Sequence, residues 1–294
     1  MSLEGLPGGA DLERLLEAAE MAQYQDFFQA LPSQVGEELG IQMDHPGGLL
    51  RLTATNYDHP MFNRVMGVTG GGEGELEAVL SQSAAHYRAA GVRRWMLQLL
   101  PHMKPSGFRE VAAPHGVVPL RGWAKHLGSA ALDPAPAPGV RIIRLGSPAA
   151  AEVGREAELA QGWAELLAEV FGFPAPFVSW LQALHGRKGW HLYLALDGDQ
   201  PVATGGLFLA QSPAGMVGQL TFGGTHPAYR RQGYQSAMIG RRVEDARAAG
   251  ARWIVSETDE DLPDRPNPST RNLVRLGFPV VYVRENWGPP KPES

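Results

Sequence analysis

The pattern of hydrophobic and polar positions divides the second half of the chain into strands and helices. Short apolar runs bounded by Gly, Pro or Asp predict strands, and apolar residues spaced by three and four predict helices. Asp197-Gly198-Asp199 has the composition of a hairpin turn between two of these strands. The predicted strands are 140–145, 191–196, 202–209, 216–224, 253–257 and 280–284, and the predicted helices are 148–171, 177–184, 236–249 and 269–276.

The first half of the chain has a similar pattern and contains a partial repeat of the second half. Its predicted helices are 12–29 and 75–90, and its predicted strands are 49–55, 94–100 and 120–126. Segment 88–95 resembles segment 247–253 with one inserted residue, and in each a helix ends at a glycine and a strand follows. A later glycine, Gly116 or Gly277, precedes the final strand of each half. We therefore predict two copies of one sub-fold.

A Pro-rich segment separates the two predicted copies. Residues 131–139 read Ala-Leu-Asp-Pro-Ala-Pro-Ala-Pro-Gly, and alternating prolines favour an extended spacer. An ordinary surface loop is the alternative interpretation. The predicted organisation is a first domain at 1–130, a linker at 131–139 and a second domain at 140–294. Hairpins followed by helical crossovers favour an α/β or α+β class, with a mixed sheet in each domain.

Composition and charge exclude several classes of function. The 294 residues have globular proportions, with 44% hydrophobic and 19% charged residues, and their number suggests two domains. A net charge of −5 argues against a nucleic-acid partner. Because the chain has no cysteine and no two of its nine histidines are three or four residues apart, we expect no metal site. No apolar run approaches ~18 residues and no signal-peptide pattern is present, so we expect a cytoplasmic protein without a membrane partner.

The most informative segment runs from Thr225 to Met238, between a predicted strand and a predicted helix. Its turn contains Arg230, Arg231 and Gly233. The first N–H groups of a helix have no partner within the helix and carry partial positive charge, and a glycine allows a ligand to approach the backbone closely. The segment therefore predicts a site for a pyrophosphate or a similar anion. The alternative is a basic, solvated helix start.

Pro227-x-x-Arg230-x-x-Gly233, followed by helix, strand and Leu276-Gly277-Phe278, resembles the GCN5-related N-acetyltransferases, the GNAT superfamily. The resemblance implies acetyl-CoA as co-substrate and direct transfer of its acetyl group to the amine of a small molecule or peptide. In this family, backbone amides of the turn bind the pyrophosphate and the preceding strand binds the pantetheine arm. The cofactor-binding residues implied here are Gly223, Gly224, Thr225, Arg230, Arg231, Gln232, Gly233, Tyr234, Gln235, Ser236 and Asn267. Gln235 departs from the family pattern, which has a small residue there.

The catalytic residues are less well determined by the resemblance. Leu273 occupies the position of the tyrosine that often protonates the departing thiolate, so we consider Tyr282 among the possible substitutes. The amine must be neutral to attack, and a carboxylate or imidazole usually takes its proton. Glu257 is the first candidate for this base and His226 the second. The alternatives are a solvated strand end for Glu257 and an ordinary loop residue for His226.

The first half resembles a degenerate copy of the same domain. Gly71-Gly72-Glu73-Gly74-Glu75 aligns with the Arg-rich turn, and its acidic side chains would repel a pyrophosphate. We therefore expect the first half to bind no CoA, although it can still shape a substrate cleft between the halves. A non-catalytic acyl-CoA-binding or regulatory module remains the alternative function, and the sequence leaves the oligomeric state open.

Overall fold

The computed structural model describes residues 8–68, 73–104, 106–130, 139–147, 155–212 and 215–291. Three sequence predictions lie partly or wholly outside these residues. They are the linker apart from Gly139, the glycines at 71 and 72, and the first seven residues of the helix predicted at 148–171.

The first half of the chain forms four helices and six strands within the described residues. The helices are α1 (Gly9–Gln29), α2 (Ser33–Leu39), α3 (Glu73–Ala89) and α4 (Phe108–Ala112). The strands are β1 (Ile41–Asp44), β2 (Leu50–Ala54), β3 (Arg64–Met66), β4 (Met96–Leu99), β5 (Val118–Pro119) and β6 (Trp123–Ser129).

The second half also forms four helices and six strands where it is described. The helices are α5 (Glu156–Phe171), α6 (Pro176–Gln182), α7 (Tyr234–Ala248) and α8 (Pro268–Arg275). The strands are β7 (Arg141–Arg144), β8 (Trp190–Asp197), β9 (Gln200–Ser212), β10 (Gly215–Thr225), β11 (Trp253–Asp259) and β12 (Val280–Gly288).

The elements confirm the predicted mixed α/β class, and most boundaries differ from the prediction by a few residues. The pattern missed α2, α4, β1, β3 and β5, each of seven residues or fewer. Elements this short contain too few positions to establish a helical or strand period. The strand predicted at 120–126 begins at Trp123 and continues to Ser129.

The strands join into one sheet with the order β1-β2-β3-β4-β12-β6-β11-β10-β9-β8-β7, and β5 pairs with β12. Each half contains a parallel pair, β3 with β4 and β10 with β11. In each half, a strand, a helix, a parallel strand, a helix and a final strand follow one another in the same order. This order agrees with the repeat seen in the sequence.

The final strand of each half pairs with the other half. β6 pairs with β11 along its whole length, from Trp123 opposite Asp259 to Ser129 opposite Trp253. β12 pairs with β6 through its first residues and with β4 through residues 285–287. The segment at 131–139 therefore separates two stretches of sequence, while the sheet continues from one half into the other. Division into a first and a second domain at this segment stays a prediction.

Helix α1 of the first half packs on the second half. Phe27 stacks on Trp180 of α6 with ring centroids 4.2 Å apart, and the Trp180 Nε1–H donates to the Phe27 carbonyl oxygen at 2.8 Å. Both side chains are buried in a hydrophobic core with members from both halves. Parallel stacking and burial of two large aromatic rings hold α1 over the sheet of the second half.

Candidate functional site

A cavity of about 690 Å³ lies between the two halves of the chain, in the size range of small-molecule sites. Its origin is the separation of the parallel strands β10 and β11. These strands pair from Val217 to Leu220 and from Trp253 to Ser256. β10 continues to Thr225 and β11 continues to Asp259, and these continuing segments do not pair with each other in the described part of the chain. The separation exposes a backbone edge of β10 to the cavity.

A bulge in β10 lies at this separation. The pairing of β10 with β9 shifts between Thr221 and Gly224, and Phe222 adopts a positive φ of 51°. Such a conformation costs a non-glycine residue about 1–3 kcal/mol and persists only where its surroundings hold it. The Phe222 ring lies within 6 Å of the rings of Phe27, Trp163 and Trp190. Aromatic packing therefore holds the bulge at the cavity wall.

Gly223, the next residue, packs closely against helix α7. A Cβ added to it would lie 2.8 Å from Nε2 of Gln235. A larger residue would therefore push the Gln235 side chain out of its position on the cavity wall. Oε1 of Gln235 is buried and has no hydrogen-bond partner among the described residues, as expected of a group that a ligand completes.

The N-terminus of α7 leaves backbone donors free. Gly233 is the N-cap with φ of 87°, and no side chain caps the helix. The first helical hydrogen bond runs from the N–H of Ala237 to the carbonyl of Gly233 at 3.0 Å. The N–H groups of residues 234–236 thus have no partner in the described part of the chain. The exposed Arg230 and Arg231 precede them, so the turn has the donors and the charge of an anion site.

Arg275 is a further cation at this turn that the sequence did not single out. Its Nη2 donates to Oγ of Ser236 at 3.2 Å. Arg275 belongs to α8, which packs on β6 and β11, whereas Ser236 belongs to α7, which packs on β8, β9 and β10. Its position is a consequence of the tertiary fold, because nothing in the local pattern of α8 relates it to the turn.

Glu257 lies near the end of β11 and lines the cavity, with 15% of its side chain exposed. Its Oε2 accepts from Nη2 of Arg284 at 2.6 Å and contacts Nζ of Lys125 at 2.7 Å. Within the described residues Oε1 makes no hydrogen bond or ion pair. Burial, with a contribution from the nearby Glu20, raises the pKa of Glu257 against the opposing effect of Arg284 and Lys125.

Glu257 belongs to a buried group of three carboxylates and three cations, which we call the charge cluster. Its members come from α1, β3, β6, β11 and β12, and therefore from both halves. The cluster consists of Glu17, Glu20, Arg64, Lys125, Glu257 and Arg284. Equal numbers of opposite charges compensate one another away from water.

The other two catalytic candidates lie away from the described cavity wall. Nδ1 of His226 accepts from the N–H of Ala228 at 3.3 Å, and its Nε2 is 3.5 Å from a carboxylate oxygen of Glu169. The hydroxyl of Tyr282 is buried and has no hydrogen-bond partner among the described residues. Neither side chain lines the cavity, so the structure brings only Glu257 of the three to it. Leu273, at the position of the family's tyrosine, does line the cavity.

Asn267 also lines the cavity, and its side chain caps helix α8. Its Oδ1 accepts from the N–H groups of Ser269 and Thr270, and its Nδ2 donates to the carbonyl of Asp259 at 2.7 Å. Asn followed by Pro at the first helical position is a sequence signature of a helix start, which would have identified this role. Gly224 and Thr225 pair with β9, and the remaining turn residues lie outside the cavity wall.

The first half supplies much of the cavity wall. Sequence patterns did not mark these residues, because they lie on separate elements that only the fold brings together. The contributors from the first half include Gln23, Tyr24, His59, Arg94, Arg121 and Trp123. Within the described residues, no group of three or more His, Asp or Glu side chains is arranged to hold a metal ion.

Comparison with protein families identifies the segment that carries this site. Residues 159–278 match the family model described as the Acetyltransferase (GNAT) family. The matched segment includes most of α5, the separated strands β10 and β11, the turn before α7 and helix α8. No curated protein matches the chain by sequence.

Solved structures extend the similarity in fold over nearly the whole chain. A GCN5-related N-acetyltransferase from Kribbella flavida aligns with a TM-score of 0.60 at 18% identity, covering 94% of this chain and 96% of its own. A tandem GNAT protein from the clavulanic acid biosynthesis pathway aligns with a TM-score of 0.57 at 16% identity, covering 97% and 99%. A functionally unknown conserved protein from Staphylococcus epidermidis aligns with 0.58 at 10% identity, covering 84% and 91%. The chain therefore has the fold of a tandem GNAT protein.

No helix in the described residues is both long enough and apolar enough to span a membrane. That the first half is a degenerate GNAT copy unable to bind CoA stays a prediction.

Proposed function

We propose that this protein transfers an acetyl group from acetyl-CoA to the amine of a small molecule or peptide. The observation that carries the proposal is the separation of β10 and β11 beside the uncapped N-terminus of α7, inside the segment that matches the GNAT family. The free N–H groups at 234–236, with Arg230 and Arg231 close by, suit the pyrophosphate of CoA. Acetyl-CoA would supply an activated thioester carbonyl, and the chain would bind and orient it.

The bulged edge of β10 at Gly223 suits the pantetheine arm. Its pairing with β9 is interrupted there, and the absence of a side chain at Gly223 lets Gln235 pack directly against the backbone of the bulge. Oε1 of Gln235, which has no hydrogen-bond partner among the described residues, is a buried acceptor on the same wall. We therefore place Gly223, Gly224 and Thr225 along the arm and Asn267 on the opposite side.

Glu257 is the proposed proton acceptor. An amine entering the cavity is protonated at neutral pH and must lose a proton before it attacks a carbonyl. A carboxylate with a raised pKa is a better base than a solvated one, and burial raises the pKa of Glu257. Its Oε1 is unengaged among the described residues and available for the proton. Because the departing thiolate has no tyrosine at Leu273, solvent would protonate it.

The experiment measures release of the CoA thiol from acetyl-CoA with a thiol reagent, in the presence of a panel of amines. The chain has no cysteine, so the enzyme adds no thiol to the signal. Calorimetry measures CoA binding in parallel. Turnover with amines supports the enzyme, whereas binding of CoA without turnover with any amine would favour a non-catalytic acyl-CoA-binding module.

Glu257→Gln tests the proposed base. It retains size and polarity, and we expect kcat to fall by about 100-fold, within the usual range for loss of a general base, with CoA affinity nearly unchanged. The acidic limb of the rate against pH should disappear with it. Glu260→Gln is the matched control, because it removes a nearby carboxylate that does not line the cavity. Equal rates in wild type and Glu257→Gln would remove Glu257 from the mechanism.

A further inference from the structure

The two halves of the chain contribute chemically different groups to the cavity wall. The second half contributes the carboxylate of Glu257, which is the acceptor for an amine proton under the proposed function. The first half contributes hydrogen-bond donors, from Arg94 in the loop before β4 and from His59 in the loop before β3. Both side chains line the same cavity as Glu257.

Arg94 differs from the other arginines on the cavity wall. Arg121 pairs with Asp259 at 3.0 Å, Arg265 lies 3.9 Å from Asp264, and Arg242 donates to three backbone carbonyls. The guanidinium of Arg94 makes no ion pair or hydrogen bond within the described part of the chain. A guanidinium offers five donors in a planar fork that matches the two oxygens of a carboxylate.

Asp58, which contacts the backbone of Arg94, is already engaged. Its Oδ1 accepts from the backbone N–H groups of Arg93 and Arg94 at 3.2 and 2.8 Å, and its Oδ2 is 3.6 Å from Nε of Arg93. Asp58 thus holds the backbone at Arg94 in place, and the side chain of Arg93 balances the negative charge of Asp58. The side chain of Arg93 is 79% exposed and does not line the cavity.

His59 adds a second donor beside Arg94. The N–H of Met61 donates to its Nδ1 at 3.2 Å, so the proton of the neutral ring lies on Nε2. Burial, with the nearby charge of Arg94, lowers the pKa of His59 and keeps the ring neutral near pH 7. Nε2 has no partner among the described residues. Stacking on Tyr57, with centroids 5.7 Å apart, holds the plane of the ring.

We propose that the acceptor is an amine that also carries a carboxylate, with the carboxylate bound by Arg94 and His59 of the first half and the amine directed at Glu257 of the second half. This inference rests on the proposed acetyl transfer. It gives the first half a direct role in substrate binding, even where that half binds no CoA.

The test compares amines that differ only in the carboxylate. One series is the ω-amino acids from glycine to 7-aminoheptanoate, which varies the distance between amine and carboxylate. The other is the n-alkylamines of matching length. We expect at least one ω-amino acid to have a kcat/KM at least tenfold above its matched alkylamine, measured by thiol release. O-phosphoethanolamine against ethanolamine distinguishes a phosphate from a carboxylate at the same donors.

Arg94→Gln locates the effect. A hydrogen bond to a charged group contributes enough to change KM by about tenfold or more. KM for the preferred amino acid should therefore rise by that factor in Arg94→Gln. KM for the alkylamine and the affinity for CoA should stay unchanged. Arg94→Lys should recover part of the loss because it retains the charge. Arg88→Gln is the control and should change neither substrate class, because Arg88 is exposed and does not line the cavity.

Several outcomes overturn the inference. An equal or better rate with alkylamines, a preference for the phosphate alone, or equal effects of Arg88→Gln and Arg94→Gln would each show that Arg94 does not bind a carboxylate, while leaving acetyl transfer in place. CoA binding without thiol release from any amine would instead contradict the proposed function, and this inference would fall with it.

Discussion

Removing Glu20 from the charge cluster should destabilise the protein strongly. Glu20 is 1% exposed on α1. Its carboxylate accepts from Nη1 and Nη2 of Arg284 at 2.6 and 3.1 Å, contacts Nζ of Lys125 and lies 3.6 Å from Nη1 of Arg64. Glu20→Gln keeps the shape of the side chain and removes its charge. Three buried cations would then face two carboxylates.

The magnitude follows from the cost of an uncompensated buried charge. Breaking a buried ion pair on one side destabilises a protein by about 3–5 kcal/mol. If the free energy of unfolding falls by about 3 kcal/mol per M of urea, the urea concentration at the midpoint of unfolding should fall by about 1 M or more. Asp11→Asn on the same helix is the control, because Asp11 pairs with Arg14 on the surface. Exposed pairs contribute about 1 kcal/mol or less.

The difference between wild type and Glu20→Gln should also depend on pH. Burial acts to raise the pKa of Glu20, but the charges of Arg284, Lys125 and Arg64 together lower it well below the ordinary value of 4.5. A carboxylate with a lowered folded-state pKa stabilises the fold fully above 4.5, and the contribution is lost progressively as the pH falls from 4.5 towards the much lower folded-state pKa. The stability gap should therefore be widest at neutral pH and narrow in acid.

Urea titrations followed by tryptophan fluorescence at pH 7 and at about pH 3 measure both effects, since the chain has seven tryptophans. A destabilisation as small as that of Asp11→Asn at pH 7 would refute the reasoning. It would mean that water or a rearranged side chain compensates the cations once Glu20 is neutral.

Two further predictions concern the turn before α7. Gly233→Val should weaken CoA binding at least tenfold by calorimetry. Gly250→Val is the control, because Gly250 has a similar φ of 88° and nothing lies within 4 Å of an added Cβ. It should strain the backbone comparably without changing CoA affinity. Equal CoA affinities of wild type and Gly233→Val would contradict the assignment of the turn. Arg231→Gly should stabilise the protein by about 0.5–1 kcal/mol, because Arg231 has a φ of 64°; a lower midpoint in urea would show that contacts of the arginine outweigh its strain.

The local elements of the second half could be predicted because each depends on residues close together in sequence. The hairpin at Asp197-Gly198-Asp199 and the helix after Gly233 are examples. The candidate CoA site could be located from the turn's resemblance to a known family, because that motif also consists of residues close together in sequence. Glu257 was identified from its strand, although its pairing with Lys125 and Arg284 was not.

What the sequence did not predict depends on contacts between distant segments. Lys125 and Arg284 meet Glu257 only because β6 and β12 cross into the opposite halves of the sheet. Strand pairing of this kind has no local signature, since either order of strands satisfies the same alternation of apolar residues. Arg94 was missed as well, because its place on the cavity wall depends on the same packing of the two halves.

The crossing of the final strands also governs what happens while the chain is being made. Gln98 of β4 and its partner Asn286 of β12 are 188 residues apart. At a synthesis rate of about 5–20 residues per second, β4 waits ~10–40 s for its neighbour. Throughout that interval the first half presents strand edges that can pair with other chains. Misassembly during synthesis is therefore a specific hazard of this arrangement, and slower elongation prolongs the exposure.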